Sequence, residues 1–336
     1  MKDKRITKAE GAGGLKSRQL IQSLFKKYFD NEYLNKLDDS AVLGRIDGKV
    51  VFTTDSHVVS PIFFPGGNIG KLAISGTVND LCVMGAEPLF VSCGFIIEEG
   101  LEFSVLERVV KSMKDEANES GVKIVTGDTK VVGSGEADKL YINTSGIGVI
   151  KGKAELSIDR ISPGDVVIIN GTVGDHEASI LIAREEFEIS AEIKSDCTSL
   201  AGLTTELISE CRGIRFMRDP TRGGLATTLN EMVSGRGFGI KIYEKKVPVR
   251  ETVRGLCDPL GFDPLYMACE GRVVVVVSKD EAERVVEIMN RYNQGDKPAI
   301  IGEVVDEPTG MVIMETEVGT ERILDMMTGV MLPRIC

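Results

Sequence analysis

Few histidines, no paired cysteine motif, no long apolar run and no excess of positive charge are what this 336-residue chain lacks. Only His57 and His176 are present, and none of the seven cysteines forms a CxxC pair. A structural zinc site is therefore not expected. No apolar stretch reaches the length that spans a bilayer, and the charged start Met1-Lys2-Asp3-Lys4-Arg5 has no apolar signal core behind it. These features predict a cytoplasmic protein with reduced thiols and no membrane partner. A formal net charge of -11 offers no general route to a phosphate backbone, so nucleic acid is not an expected partner. It does not exclude ATP, because Mg²⁺ can join carboxylates to phosphates.

Both familiar nucleotide motifs also lack an essential part. Pro65-Gly66-Gly67-Asn68-Ile69-Gly70-Lys71-Leu72 has proline where a P-loop needs glycine, and leucine where it needs the Mg²⁺-binding hydroxyl. Gly133-Ser134-Gly135 is followed by Asp138 where a Rossmann turn has its third glycine.

The 37 glycines that are present punctuate an alternation of strands and helices. Apolar spacing predicts helices over Leu15–Phe29, Asn68–Met84 and Leu101–Ser120. Strands are expected at Ala41–Leu43, Val50–Phe52, Phe90–Ile97, Lys123–Val125 and Leu140–Ile150. The pattern loosens around Lys151–Pro163. A second alternation then follows: strands Val166–Asn170, Val273–Val277 and Ala299–Val305, and helices Ala178–Arg184, Cys197–Cys211, Gly223–Ser234 and Asp280–Tyr292. Gly146–Ile150 and Ile300–Val304 end the halves alike, which hints at related domains. The expected division is a glycine-rich lead-in and helix over 1–37, an α/β domain over 38–155, a second over 156–318, and a flexible tail over 319–336 that carries Cys336.

Carboxylates recur at strand ends and beside glycines: Asp38-Asp39, Asp55, Asn79-Asp80, Asp128 and Asp219. Ligands gather at the carboxyl ends of strands in open α/β sheets, and converging aspartates suit Mg²⁺. Each is equally readable alone as a turn former or helix cap. Lys71 and Lys130 could neutralise phosphate, though a solvated lysine is the default. Arg222-Gly223-Gly224 opens a helix whose free N–H groups could take an anion. Glu270 enters the most apolar strand, where burial would raise its pKa toward that of a general base; a surface-facing strand start is the plainer reading. Asp175-His176-Glu177 forms a polar turn, but one histidine makes no dyad.

Taken together, Thr54-Asp55-Ser56, Phe64–Leu72, Ser92-Cys93-Gly94-Phe95, Thr126–Val132, Gly174-Asp175-His176, Thr221–Gly224 and Pro333-Arg334-Ile335-Cys336 resemble the hydrogenase maturation HypE family. That family lies in the superfamily of aminoimidazole ribonucleotide synthetase and selenophosphate synthetase, and the resemblance runs over nearly the whole chain. It implies a two-domain PurM-like α/β (α+β) fold whose first domain dimerises through a mixed sheet. It implies an enzyme that dehydrates an S-carboxamide on Cys336 to a thiocyanate with ATP. The carbamoyl group would come from HypF, and the cyano group would pass to the HypC–HypD complex as a ligand of the [NiFe]-hydrogenase iron.

By the same resemblance, Asp38, Asp39, Asp55, Lys71, Asn79, Asp80, Gly127, Asp128, Thr129, Thr221, Arg222 and Gly223 would hold ATP. Asp39, Asp55, Asp80, Asp128 and Asp219 would hold Mg²⁺. Cys336, Glu270, Lys130 and His176 would carry the chemistry, with Glu270 as the base. One departure is Glu10, where the family often has histidine before its glycines. Two other readings compete: a selenophosphate synthetase-like enzyme, although no cysteine precedes Cys82, and a non-catalytic carrier of Cys336.

Overall fold

The computed structural model describes residues 4–152, 155–184, 192–292, 296–329 and 332–336. Of the expected linker, residues 153 and 154 lie outside this description, as do 330 and 331 of the expected tail.

The first domain is a four-stranded sheet. Its strands are β1 (Lys49–His57), β2 (Glu87–Glu98), β3 (Lys123–Val132) and β4 (Leu140–Ile150), in the order β1-β4-β2-β3. Only β2 and β3 run parallel; β4 pairs antiparallel with both neighbours. A parallel pair needs a crossover, and the amphipathic helix predicted from the sequence supplies it. Residues 15–28 form a helical run, α1, interrupted by a π turn at Ile21–Phe25. Then come α2 (Ile69–Val83) and the crossover α3 (Phe103–Glu119). Both α2 and α3 bury their apolar sides on one face of the sheet. At Gly146 of β4 a Cβ would sit 2.7 Å from Thr77 of α2, so only glycine allows helix and sheet to approach this closely. The opposite sheet face stays open: Val50, Phe52 and Ile96 are 57%, 66% and 44% exposed.

The second domain contains β5 (Val166–Ile169), α4 (Asp175–Ala183), α5 (Ala201–Glu210), β6 (Ile214–Arg218), α6 (Gly224–Val233), β7 (Gly239–Tyr243) and α7 (Glu251–Leu260). It continues with β8 (Val274–Val277), α8 (Ala282–Tyr292), β9 (Ala299–Val305), β10 (Val312–Glu315) and β11 (Glu321–Ile323). Its sheet order is β11-β10-β7-β9-β5-β8-β6. Val275 and Val277 join a core that runs on into the first domain, whereas Val274 and Val276 join a separate core around α6. A strand covered on both faces has no polar side to show, which is why this run reads as unbroken valine.

Four expectations are corrected. Ala41–Leu43 is not a strand: no neighbour pairs with it, and Val42 is 78% exposed. The helix expected from Cys197 begins only at Ala201, because the chain before it is committed elsewhere: Ser195 N donates to Pro65 O and Leu200 N to Asn79 Oδ1. The spacing that predicts the Leu15–Phe29 helix puts Leu20, Ile21, Leu24, Phe25 and Tyr28 on one side, yet Ile21, where the π turn begins, is exposed. The segment expected to be a flexible tail contains strand β11, too short to show a period, and its end is docked, as described next.

Candidate active site

Residues 332–336 lie along the seam between the two domains. Val58 N donates to Cys336 O (2.9 Å) and Ser60 N to Arg334 O (3.1 Å), while Arg334 Nε returns a bond to Val58 O (2.9 Å). Arg334 also pairs with Asp138 at 2.7 Å. From the second domain, Arg184 donates to Pro333 O and Arg334 O, and His176 Nε2 meets Ile335 O at 2.7 Å. A carbonyl only accepts, so Nε2 carries the proton and Nδ1 faces the Ser195 hydroxyl at 2.8 Å. Burial holds the His176 pKa below the usual histidine range. His176 thus holds the segment in place and is not arranged as a base.

Docking sets Cys336 among acidic groups. Burial, reinforced by the nearby Glu270, pushes its thiol up to about 12. Glu270 comes from the loop before β8 and is only 5% exposed. Its Oε1 has no hydrogen-bond partner. Burial first, and then the charges of Asp219, Asp196, Asp55 and Asp80, hold its carboxyl well above the usual range. The same crowding acts on its neighbours. Desolvation and Asp55 raise Asp80 to about 6; desolvation and Asp80 raise Asp219 to about 7. Asp55 arrives on β1, Asp80 on α2 and Asp219 on the loop after β6, so three elements from two domains build this cluster. Thr53 Oγ1 donates to Asp80 and Thr77 Oγ1 to Asp55. Gly224, at φ +60°, lets the loop entering α6 press against 265–267; a Cβ there would lie 2.5 Å from Met267 O.

The other predicted residues fall elsewhere. Asp128 and Lys130 pair with each other at 3.0 Å on β3, the edge strand farthest from β1. Register puts Lys130 beside Ile96, on the open sheet face. Gly127, Asp128, Thr129, Lys130 and Asp38 line a cavity of about 700 Å³ beneath α1, whose floor includes Phe25 and Phe95. Glycine at 127 is required, since a Cβ would sit 2.4 Å from Cys93 O. Asp39 lies in the same exposed stretch as Asp38. Glu10 also lines this cavity, but its carboxylate is taken by Thr7 N (3.0 Å) and Thr7 Oγ1 (2.6 Å), capping the turn before the glycines.

Asn79 is not free for a nucleotide. Its amide donates to Thr198 O and Glu270 O and accepts from Leu200 N. Lys71 acts on Glu116 of α3 rather than on the aspartate cluster. Thr221, Arg222 and Gly223 stand at the entry to α6, where the Arg222 charge reaches both Asp80 and Cys336.

Oxygen donors alone fit a hard divalent cation such as Mg²⁺, and the mutual repulsion of Asp80 and Asp219 is what such an ion would relieve. Asp55, Asp80 and Asp219 would be the residues to offer it carboxylates. Among the described residues no three His, Cys, Asp or Glu side chains form a metal centre by themselves, so nucleotide oxygens and water would supply the other ligands.

Sequence and structure comparisons give this geometry its relatives. Residues 37–150 match the AIR synthase related protein N-terminal domain, and 162–315 its C-terminal domain. The carbamoyl dehydratase HypE of Rhodobacter capsulatus is 47% identical, covering 100% of this chain and 99% of that protein. The chain belongs to the HypE family. A crystal structure of the hydrogenase maturation protein HypE in complex with ATP superposes with a TM-score of 0.94 at 46% identity, covering 98% of this chain and 99% of that one. A structure of a HypE–HypF complex matches with a TM-score of 0.80 at 49% identity, over 92% of this chain and 99% of the other. The family and the two-domain fold expected from the motifs are thus established.

Arg184, Asp138, Ser195 and Asp196 were missed in the sequence. No motif marks them, because their partners are distant in the chain; Arg184 and Arg334, for example, are 150 positions apart.

Proposed function

We propose that this chain is an ATP-dependent carbamoyl dehydratase that converts an S-carboxamide on Cys336 to a thiocyanate for hydrogenase maturation. The observation that carries the reading is the docking of Cys336 beside a buried carboxyl with an unpartnered oxygen. An amide oxygen leaves poorly. Transfer of the γ-phosphoryl group onto it makes phosphate the leaving group, and removal of the N–H protons then closes the C≡N bond. Phosphate and ADP are released and the S–C bond stays intact.

Phosphoryl transfer calls for positioning and charge stabilisation, and nitrile formation for a placed base. Glu270 accepts the N–H proton. Arg222 and the N-terminal end of α6 would face the transferred phosphoryl group. Asp38, Gly127, Asp128, Thr129 and Lys130 take the nucleotide from the cavity under α1. Mg²⁺ bound by Asp55, Asp80 and Asp219 would offset phosphate charge. His176 and Arg334 hold the reacting segment in register, which keeps the two groups at high effective concentration.

Docking is read as reversible, since burial raises the Cys336 thiol and the docked segment encloses the sulfur that a carbamoyl donor has to reach. Cys336 is therefore loaded away from the seam, by a HypF carbamoyl donor, and returns for dehydration; the HypC–HypD complex then receives the cyano group. Intact mass tests the whole reading. Protein incubated with carbamoyl phosphate, a HypF partner, Mg²⁺ and ATP should gain a carbamoyl group on Cys336 and then lose one water. ATP consumed with no adduct at Cys336 would point instead to another phosphoryl-transfer enzyme of this superfamily.

Asp80→Asn keeps the bond from Thr53 but removes one charge. Its affinity for Mg²⁺-ATP should fall about 10-fold or more, the scale of one charge-assisted contact. Because it also removes a repelling charge, Tm should not drop. Unchanged affinity by calorimetry would remove Asp80 from the site.

The open sheet face is read as the homodimer contact. Burying Phe52 in a partner would contribute roughly 1.5–3 kcal/mol, and the contact would bring Asp128 and Lys130 to the interface. Phe52→Asp should sediment as a monomer; a dimer at micromolar concentration would reject this face.

A further inference from the structure

The Glu270 side chain reaches the site with no hydrogen bond to aim its Oε1, which leaves its main chain as the part held by named bonds. That main chain is gripped on both sides. Glu270 N donates to Asp196 Oδ1 at 3.0 Å, and Asn79 Nδ2 donates to Glu270 O at 3.3 Å. The next residue is gripped as well, Gly271 N donating to Asp196 Oδ2 at 3.3 Å. No side chain fits at Gly271, where a Cβ would lie 2.0 Å from the main-chain carbonyl oxygen of Asp196, so the main chains of the two segments are in direct contact.

Asp196 is itself fixed. Its side chain is 0% exposed and pairs with Arg272 Nε at 3.3 Å. Arg272 is anchored in turn by Thr172 O (2.8 Å) and Asp296 (2.5 Å). On one side of Asp196, Ser195 Oγ meets the His176 ring that holds Ile335 O. On the other, Thr198 O and Leu200 N are bound by Asn79, the neighbour of Asp80. One short segment thus touches the supports of the base, of the docked cysteine and of the aspartate cluster.

We propose that Asp196 is the positioning residue for Glu270: by accepting the N–H groups of Glu270 and Gly271 against Arg272, it fixes the buried carboxyl in reach of the group on Cys336. Asp196 touches neither substrate nor nucleotide. The proposal rests on the reading of Glu270 as the base. Displacing a reacting group by about 1 Å can cost on the order of 100-fold, and an asparagine here keeps one acceptor while turning an N–H toward another N–H.

The test is a double-mutant cycle on protein already carbamoylated at Cys336, following loss of water by intact mass after mixing with ATP and Mg²⁺. Asp196→Asn should slow dehydration about 10- to 100-fold while ATP affinity and carbamoyl loading stay within twofold of wild type. In an Glu270→Gln background it should add no further slowing, because the group it positions is already lost. A merely structural role predicts the opposite: slowing that multiplies in the double variant and a matching loss of ATP affinity. Either that result or a wild-type rate for Asp196→Asn overturns the proposal while leaving the base reading intact. A wild-type rate for Glu270→Gln alone overturns the base reading, and the proposal with it. Should Asp196→Asn not fold, Arg272→Lys loosens the same carboxylate from its other side, and the same non-additivity is expected.

Discussion

Cys336→Ala should lose all substrate-dependent ATP turnover and carry no carbamoyl adduct, while folding and binding ATP as the parent does. The separation follows from how the segment is held. Among the described residues, every docking bond of residues 333–336 uses main-chain oxygens or the Arg334 side chain, and none uses the Cys336 sulfur. Removing Sγ takes away one partly buried atom, which should cost about 1 kcal/mol or less of stability. It also removes the only atom to which the reacting group is attached. ATP turnover measured with carbamoyl donor present, and affinity by calorimetry, check the two halves. A Cys336→Ala protein that kept full substrate-dependent turnover would eliminate the central mechanism and leave a phosphoryl-transfer enzyme with a separate substrate.

Glu270→Gln has the second largest expected effect. The substitution preserves shape and removes the base, so dehydration in a single turnover should slow by roughly 10²–10⁴, the usual worth of a positioned acid or base. The carbamoyl adduct should then accumulate. ATP affinity should stay within about twofold, since Glu270 accepts a proton and is not asked to hold phosphate. Tm should hold or rise, because a carboxyl crowded by Asp219 and Asp196 is replaced by a neutral amide.

The pH dependence has a definite sign. A base works only when ionised, and burial raises the Glu270 pKa, so the wild-type rate should climb as pH rises through that raised value. The Gln variant should lack this climb. A near-normal single-turnover rate for Glu270→Gln would exclude it as the base.

Much of the fold was legible because the local signals were strong. The crossover α3 announced itself by helical spacing and a glycine stop, and β8 by its valine run. Reading failed where tertiary contacts overrode local pattern. Residues 197–200 fall within the expected helix, yet the bonds of Asn79 to Thr198 O and Leu200 N, and those of Ser195 to Pro65 and Asp196 to Glu270 just before, keep the segment out of it. β11 has only three residues, and its place is set by the strand beside it.

For the site, the sequence by itself determined the chemistry on offer: recurring aspartates, an anion-binding helix entry, a carboxyl beside an apolar strand, and a cysteine after Pro333-Arg334-Ile335. Those are properties of residue type and of neighbours a few positions away, and a linear chain displays them directly. Only the tertiary structure decided which of these meet. It gathered Asp55, Asp80, Asp219, Glu270 and Cys336 from five separate stretches and left Asp128 and Lys130 on a far edge strand. It turned His176 from a candidate base into a clasp, committed Asn79 to the main chain and revealed Asp196 beneath Glu270. Burial, and with it every raised pKa in the site, depends on what covers a group in space, and the charges that crowd Glu270 belong to Asp219, Asp196, Asp55 and Asp80, all more than 50 positions away.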